Sequence, residues 1–275
     1  MKRVFDIILA STVIVLVTYF SFTTYKSAKE LESVNKVYYE AQSDIGDLIK
    51  QKFNSMLSTL TFGAVKSKEK NAIDLNEITA KKIILKDKSI KDIEYLATIA
   101  TIGLLLYFIL DRYIYALMLS IVSIITLIFG VITPILLIVI HKNVNYLGDI
   151  VLSFESKTII GTVEHLYNNS NYPVAIAILL FSIIVPLVKS LSMLFVLVWK
   201  RFHILNRVIS FFKHLGKWSM LDVFIVSLLL VYLSVGSSQN SYSEIENGLY
   251  IFLIYVIYSI ITSIVVDNII IKTTK

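Results

Sequence analysis

Six stretches of the chain are apolar over most of their length, at residues 4–22, 95–110, 113–140, 174–199, 220–235 and 249–271. A helix crosses a bilayer with about 20 mainly apolar residues, within a range of roughly 17–25. The pattern therefore predicts an all-α polytopic membrane protein with six transmembrane helices. The first stretch follows Lys2 and Arg3, outlasts the core of a signal peptide and is not closely followed by a small-x-small cleavage site, so it reads as a retained anchor.

Two polar regions interrupt the spans. In residues 26–94, Leu31, Val34, Tyr38, Ala41, Ile45 and Leu48 recur at three- and four-residue steps, the seam of a helix packed on another helix. Ile83, Ile84 and Leu85, set among lysines, suggest a short strand. In residues 141–172, Ile150, Leu152 and Phe154 alternate with Val151, Ser153 and Glu155, which suits a half-buried strand. Residues 157–167 read as a short amphipathic helix, and residues 168–173 are rich in turn formers. Together these regions predict a small outer cap, a helical insert with minor β-structure.

Charge supplies the sidedness. Lys200, Arg201, Arg207, Lys213 and Lys217 share a stretch without an acidic residue, and short basic loops stay in the cytoplasm. Counting from there places both termini inside and residues 26–94 and 141–172 outside. The insert holds 13 Lys and 11 acidic residues, but loops of that length translocate largely regardless of charge. The step in this count that most needs testing is the turn near residues 110–113, which contains neither Gly nor Pro. Two domains are expected: an N-terminal hairpin with its insert over residues 1–112, and a four-helix membrane module over residues 113–275.

Composition narrows the function. Only 17% of the 275 residues are charged and 56% are hydrophobic, which disfavours an ordinary cytosolic enzyme. The chain has no cysteine, so thiolate catalysis, disulfides and Cys-ligated metals are excluded. The net charge of +6 follows from topology before it implies nucleic acid, and no nucleic-acid partner is expected. His141, His165, His203 and His214 lack ligand spacing, and no phosphate loop, nucleophile elbow or paired carboxylate motif is present. No enzyme activity, metal or cofactor is expected. Asn168-Asn169-Ser170 matches a glycosylation sequon, a weak pattern that has no bearing if the host is bacterial.

The informative polar residues lie inside the spans. Lys189 sits ten residues before Trp199, roughly 15 Å below the membrane surface. A charge at that depth costs at least about 2.5–3.5 kcal/mol unless it faces protein or water. Ser182, Pro186 and Lys189 share one helical face, and Pro186 breaks the helical hydrogen bonding before it. Such a face suits a conduit or headgroup site; a structural lysine bonded to freed carbonyls accounts for it equally. Asp222 is a possible counter-ion, yet Ser219-Met220-Leu221-Asp222 also has the spacing of a helix capping box, with Trp218 in the interfacial belt.

The stretch from Gly216 through Trp218, Ser219 and Asp222 to Phe224 resembles the most characteristic segment of the paraquat-inducible protein A family. The stretch from Phe181-Ser182 through Pro186 to Lys189 is similar to its other landmark, and Leu152 to Thr162 is similar to its outer-loop segment. The resemblance covers residues 114–271. It implies a four-helix inner-membrane module engaged in envelope lipid transport, handling membrane lipids and partnering periplasmic mammalian-cell-entry (MCE) domain proteins. Members usually carry Cys-x-x-Cys zinc ribbons and often two modules, whereas this chain has one module and no cysteine. The reading that results is a lipid-transport component. Its rivals are a non-conducting membrane scaffold and a periplasmic sensor, the latter without a cytoplasmic output domain.

Overall fold

The computed structural model describes residues 2–59, 75–144, 148–198 and 241–273. In chain order these form α1 (Lys2–Thr59), α2 (Leu75–Leu105), a 3-10 turn (Leu106–Phe108), α3 (Arg112–Ile132), β1 (Leu136–Val144) and β2 (Gly148–Lys157). They continue through α4 (Ile159–Asn168), α5 (Tyr172–Leu179), a π turn (Leu180–Ile184), α6 (Val185–Val198), β3 (Ser241–Ile245) and a last helix, α7 (Asn247–Thr273). The described residues are mainly helical with one small sheet.

Among the described residues, four helical stretches are long and apolar enough to cross a membrane: Lys2–Glu40, Arg112–Ile132, Tyr172–Val198 and Asn247–Ile269. The expected span at 220–235 lies outside the described residues, as does the basic stretch at 200–217. The expected span at 95–110 corresponds to the end of α2 and the 3-10 turn. Glu94 and the charges before it leave α2 only its last turns as apolar helix.

The anchor and the insert form one element. α1 continues unbroken for 58 residues, and α2 returns beside it, antiparallel. Lys88 reaches Glu30 at 3.6 Å, Lys82 Nζ donates to the Tyr39 hydroxyl at 3.1 Å, and Tyr95 meets Phe20 with ring centroids 5.8 Å apart. The buried seam of α1 runs through Ala10, Val13, Val17, Ser21, Thr24, Ala28, Asn35 and Tyr39. In the insert this lies one position beyond the apolar seam expected from the sequence: Leu31, Val34 and Tyr38 are half-buried beside Asn35 and Tyr39. The side chains of Ala41, Ile45 and Leu48 fall outside the described set. The strand expected at Ile83–Leu85 is absent. These residues are helical in α2, with Ile83 and Ile84 turned outward, because pairing with α1 overrides the β preference of branched side chains.

The chain does reverse near residue 110. The Asp6 carboxylate accepts a hydrogen bond from the backbone N–H of Asp111 at 3.4 Å, and Tyr25 meets Phe129 at 6.2 Å between ring centroids. α1 and α3 therefore run parallel, and α2 and α3 are separate antiparallel elements. Asp6 stands at the positive end of the α3 dipole, where an anion is favoured.

The span expected over 113–140 is shorter than its apolar run. Thr133 is extended (ψ 142°) because the ring of Pro134 disfavours helix in the residue before it. Beyond it the same apolar run becomes β1, the middle strand of an antiparallel sheet ordered β2-β1-β3. Leu137 and Val139 of β1 pack with Tyr39 of α1, while Leu136 joins Ile159, Phe252 and Tyr255 in a second cluster. Residues 136–139 are covered on both faces and so are apolar without alternation. The expected strand at 149–155 is β2. The expected helix at 157–167 is α4, capped by Thr158 Oγ1 accepting from the Gly161 N–H at 2.8 Å.

Three tyrosine hydroxyls bond carbonyls of neighbouring helices. Tyr258 of α7 donates to the Ala100 carbonyl at 2.7 Å, Tyr115 of α3 to Leu104 at 3.0 Å, and Tyr113 of α3 to Leu197 at 2.6 Å. Leu104 lies in the last turn of α2, where carbonyls lack intrahelical partners. Tyr258→Phe is expected to destabilise the protein by about 0.6 kcal/mol and at most about 1.7 kcal/mol, the range for hydrogen bonds between membrane helices. Denaturant titration in mixed micelles measures this, and a loss above about 3 kcal/mol, well beyond that range, would show that the ring itself had moved.

Candidate functional site

The face carrying Ser182, Pro186 and Lys189 lies on the continuous helix from α5 to α6. Pro186 has no N–H for the carbonyl four residues earlier, and its ring crowds that turn. The backbone answers with a π turn at Leu180–Ile184, in which the Val185 N–H donates to the Leu180 carbonyl five residues back. The expected break is thus a widened turn and the helix continues, a usual outcome at a π-bulge. Ser182 and Pro186 are buried. Lys189 is half-buried and already partnered. At 100° per residue it lies in angle between Met193 and Val196, both of which are buried. Ser190 is 2% exposed, and its hydroxyl has no hydrogen-bond partner among the described residues. Trp218, Ser219 and Asp222 lie outside the described residues.

A larger feature was not anticipated. Between α1, α2 and the start of α7 lies a groove of about 670 Å³. Its outer end is polar, lined by Asn35, Lys82, Lys86, Ser89, Glu244, Glu246 and Asn247; its inner end is apolar, lined by Ile93, Ala97, Ala100, Leu104, Leu253, Ile257 and Tyr258. Asn247 opens the α7 span, so the gradient from polar to apolar runs along a membrane-crossing helix.

The polar end is closely organised. Asn247 Nδ2 donates to the Ser89 carbonyl at 2.8 Å and to its hydroxyl at 2.7 Å, tying α7 to α2. Lys86 is ion-paired with Glu244. Lys82 Nζ stands 4.4 Å from the ring centroids of both Tyr38 and Tyr39, and Tyr39 stacks on Phe154 at 5.0 Å. Burial pushes the Lys82 ammonium below its ordinary pKa, which the Tyr38 and Glu244 charges partly offset. Glu246 is 9% exposed, and Ser156 Oγ donates to its Oε2 at 3.1 Å. Burial raises the Glu246 carboxyl to about 7, Glu32 and Glu244 push the same way, and the Ser156 hydrogen bond opposes them.

These residues were hard to find in sequence. Glu246 and Asn247 precede an apolar run and look like an ordinary helix start, and Lys82 belongs to a charge-rich helix. The available signal was Asn35, a polar residue one step off an apolar seam.

A family model described as paraquat-inducible protein A matches residues 113–271. The chain is 30% identical over 129 residues to the intermembrane transport protein PqiA of Escherichia coli strain K12, an alignment covering 43% of this chain and 30% of that protein. The proteins of the same name from Escherichia coli O6:H1 and Shigella flexneri match with the same identity and coverage. The aligned part is thus under a third of the length of these curated relatives. No solved structure matches.

Proposed function

Because the chain belongs to the paraquat-inducible protein A family, we propose that this multi-pass membrane protein is an inner-membrane component of an envelope lipid-transport system. The observation that carries the reading is the groove, charged where α7 begins and apolar along the span, since that gradient is the shape of a lipid. The relatives' name as intermembrane transport proteins supports transport as the purpose of such a site. In this reading both termini are cytoplasmic, the sheet end faces the periplasm, and a periplasmic protein of the MCE type receives or supplies the lipid there. The protein has two units, a hairpin with its insert over residues 1–112 and a four-helix module over residues 113–275.

The face with Ser182, Pro186 and Lys189 is the intramembrane polar step of the path. The π turn loosens the backbone there, Lys189 supplies a cation that attracts a passing phosphate, and Ser190 offers a hydroxyl that no described residue engages. In vesicles reconstituted with the protein and a periplasmic acceptor, Lys189→Ala and Ala97→Trp are each expected to slow transfer of a fluorescent phospholipid roughly tenfold, equivalent to about 1.4 kcal/mol. Ala97→Trp acts by filling the apolar end of the groove. Normal transfer in Lys189→Ala and Ser182→Ala removes the polar step. Normal transfer in Ala97→Trp removes the groove from the path and favours a scaffold.

A further inference from the structure

The polar end of the groove carries more acceptor capacity than the described residues satisfy. Asn35 is 2% exposed, and its Oδ1 has no hydrogen-bond partner among the described residues although it lines a roomy cavity. A buried carbonyl oxygen in that position calls for a donor. The Glu246 carboxylate lines the same end, where the one neutral donor described for it is the Ser156 hydroxyl. Two cations share this end, Lys82 against its tyrosine rings and Lys86 paired with Glu244. Each ammonium is a compact cation with three donor hydrogens, and both line this end of the groove. The walls therefore suit a molecule that brings N–H donors and a positive charge beside a negative group.

Length agrees with a lipid. Glu246 and Tyr258 line opposite ends of the groove, and twelve residues of helix rise about 18 Å, close to one leaflet of a bilayer about 40 Å thick. We propose that the groove binds one phospholipid with a primary-ammonium headgroup. Its ammonium is held by Asn35 Oδ1 and Glu246, its phosphate faces Lys82 and Lys86, and an acyl chain lies along Ala97. This deepens the lipid-transport reading and rests on it. A choline headgroup has the charge but no N–H to offer Asn35, and a glycerol headgroup has hydroxyl donors but no cation for the carboxylate. Charge-assisted hydrogen bonds separate these headgroups.

The test is native mass spectrometry of the full chain released from micelles containing equal amounts of chain-matched phosphatidylethanolamine, phosphatidylcholine and phosphatidylglycerol. The ethanolamine lipid is expected to be retained roughly tenfold over each of the others, the effect of one hydrogen bond to a charged group. Asn35→Leu and Glu246→Gln should each bring the three lipids to near parity. Asn35→Asp, which keeps an acceptor in place, should preserve the preference and so show that parity in Asn35→Leu is not misfolding. Equal retention by the wild type, no retained lipid, or a preference unmoved in both Asn35→Leu and Glu246→Gln overturns the headgroup assignment. Retention of all three lipids that Ala97→Trp abolishes, without headgroup preference, leaves the transport reading standing. Intact preference with no transfer in vesicles counts against transport and not against this site.

Discussion

Gly248→Val is expected to lower the stability of the protein by about 3 kcal/mol or more, the upper range for forcing atoms into a filled core. A Cβ at residue 248 would lie 2.4 Å from the Thr133 carbonyl oxygen and 2.5 Å from that of Pro134. Both are backbone atoms at the joint between α3 and β1, so no side chain can turn aside. The same joint is closed by the Gly248 N–H donating to the Pro134 carbonyl at 2.8 Å and the Glu246 N–H donating to Ile135 at 3.1 Å. The substitution must push the first turn of α7 off the sheet and with it disturb the polar end of the groove. Thermal unfolding in detergent followed by fluorescence should show a midpoint lower by roughly 6–12 °C. A midpoint within about 2 °C of the wild type, less than 1 kcal/mol is worth in a chain of this size, would mean that the joint yields freely.

The second large effect is a pH dependence removed by Glu246→Gln. The Glu246 carboxyl titrates at about 7 in the fold against an ordinary 4.5, so between those values the folded protein holds a proton that the unfolded chain has released. Stability contributed by this group is therefore full below about pH 4.5, falls as pH rises towards about 7, and is level above that. At about 1.4 kcal/mol per pH unit, the wild type loses about 3 kcal/mol over that window. The groups around Glu246 set the background: Glu32 of α1, Glu244 of β3, Lys82 and Lys86 of α2, and Ser156 with the Lys157–Glu155 pair of β2. Glutamine matches the protonated acid in size and still accepts from Ser156. Unfolding compared from about pH 4.5 to about pH 8, in detergent free of aminophospholipid, should find the two proteins alike at the acid end and Glu246→Gln the more stable by about 3 kcal/mol at the alkaline end. Parallel profiles for the two proteins would place the acid in contact with water.

The membrane architecture was legible because long apolar runs have few stable surroundings besides a bilayer, and Pro186 correctly marked a disturbed turn. What misled was apolar character without periodicity. Residues 113–140 are apolar throughout, yet the helix ends at Ile132 and a doubly covered strand follows; the local signal was the Thr133-Pro134 pair, which forbids helix more firmly than hydrophobicity demands it. Ile83 and Ile84 erred the other way, their branched side chains suggesting a strand where α1 imposes a helix. The groove was illegible for a different reason. Asn35, Lys82 and Glu246 come from three distant parts of the chain, and each alone suits an ordinary solvated helix face or helix start. Only the pairing of α1 with α2, and of α2 with α7 through Asn247 and Ser89, gathers them.

The unbroken course of α1 has a mechanical consequence. Fifty-eight residues of continuous helix make an arm about 87 Å long, clasped at its base by Asp6 against the Asp111 N–H. As far as Tyr39 the helix is held against α2, α3 and the sheet through Phe20, Tyr25, Glu30 and Tyr39, so the overhang is about 20 residues or about 30 Å, and a tilt of about 10° at Tyr39 swings the far tip by about 5 Å. Rearrangements among the helices within the bilayer are thus carried outward to the tip of the arm, and a load applied there returns first through Tyr39, where it meets Lys82 and Phe154.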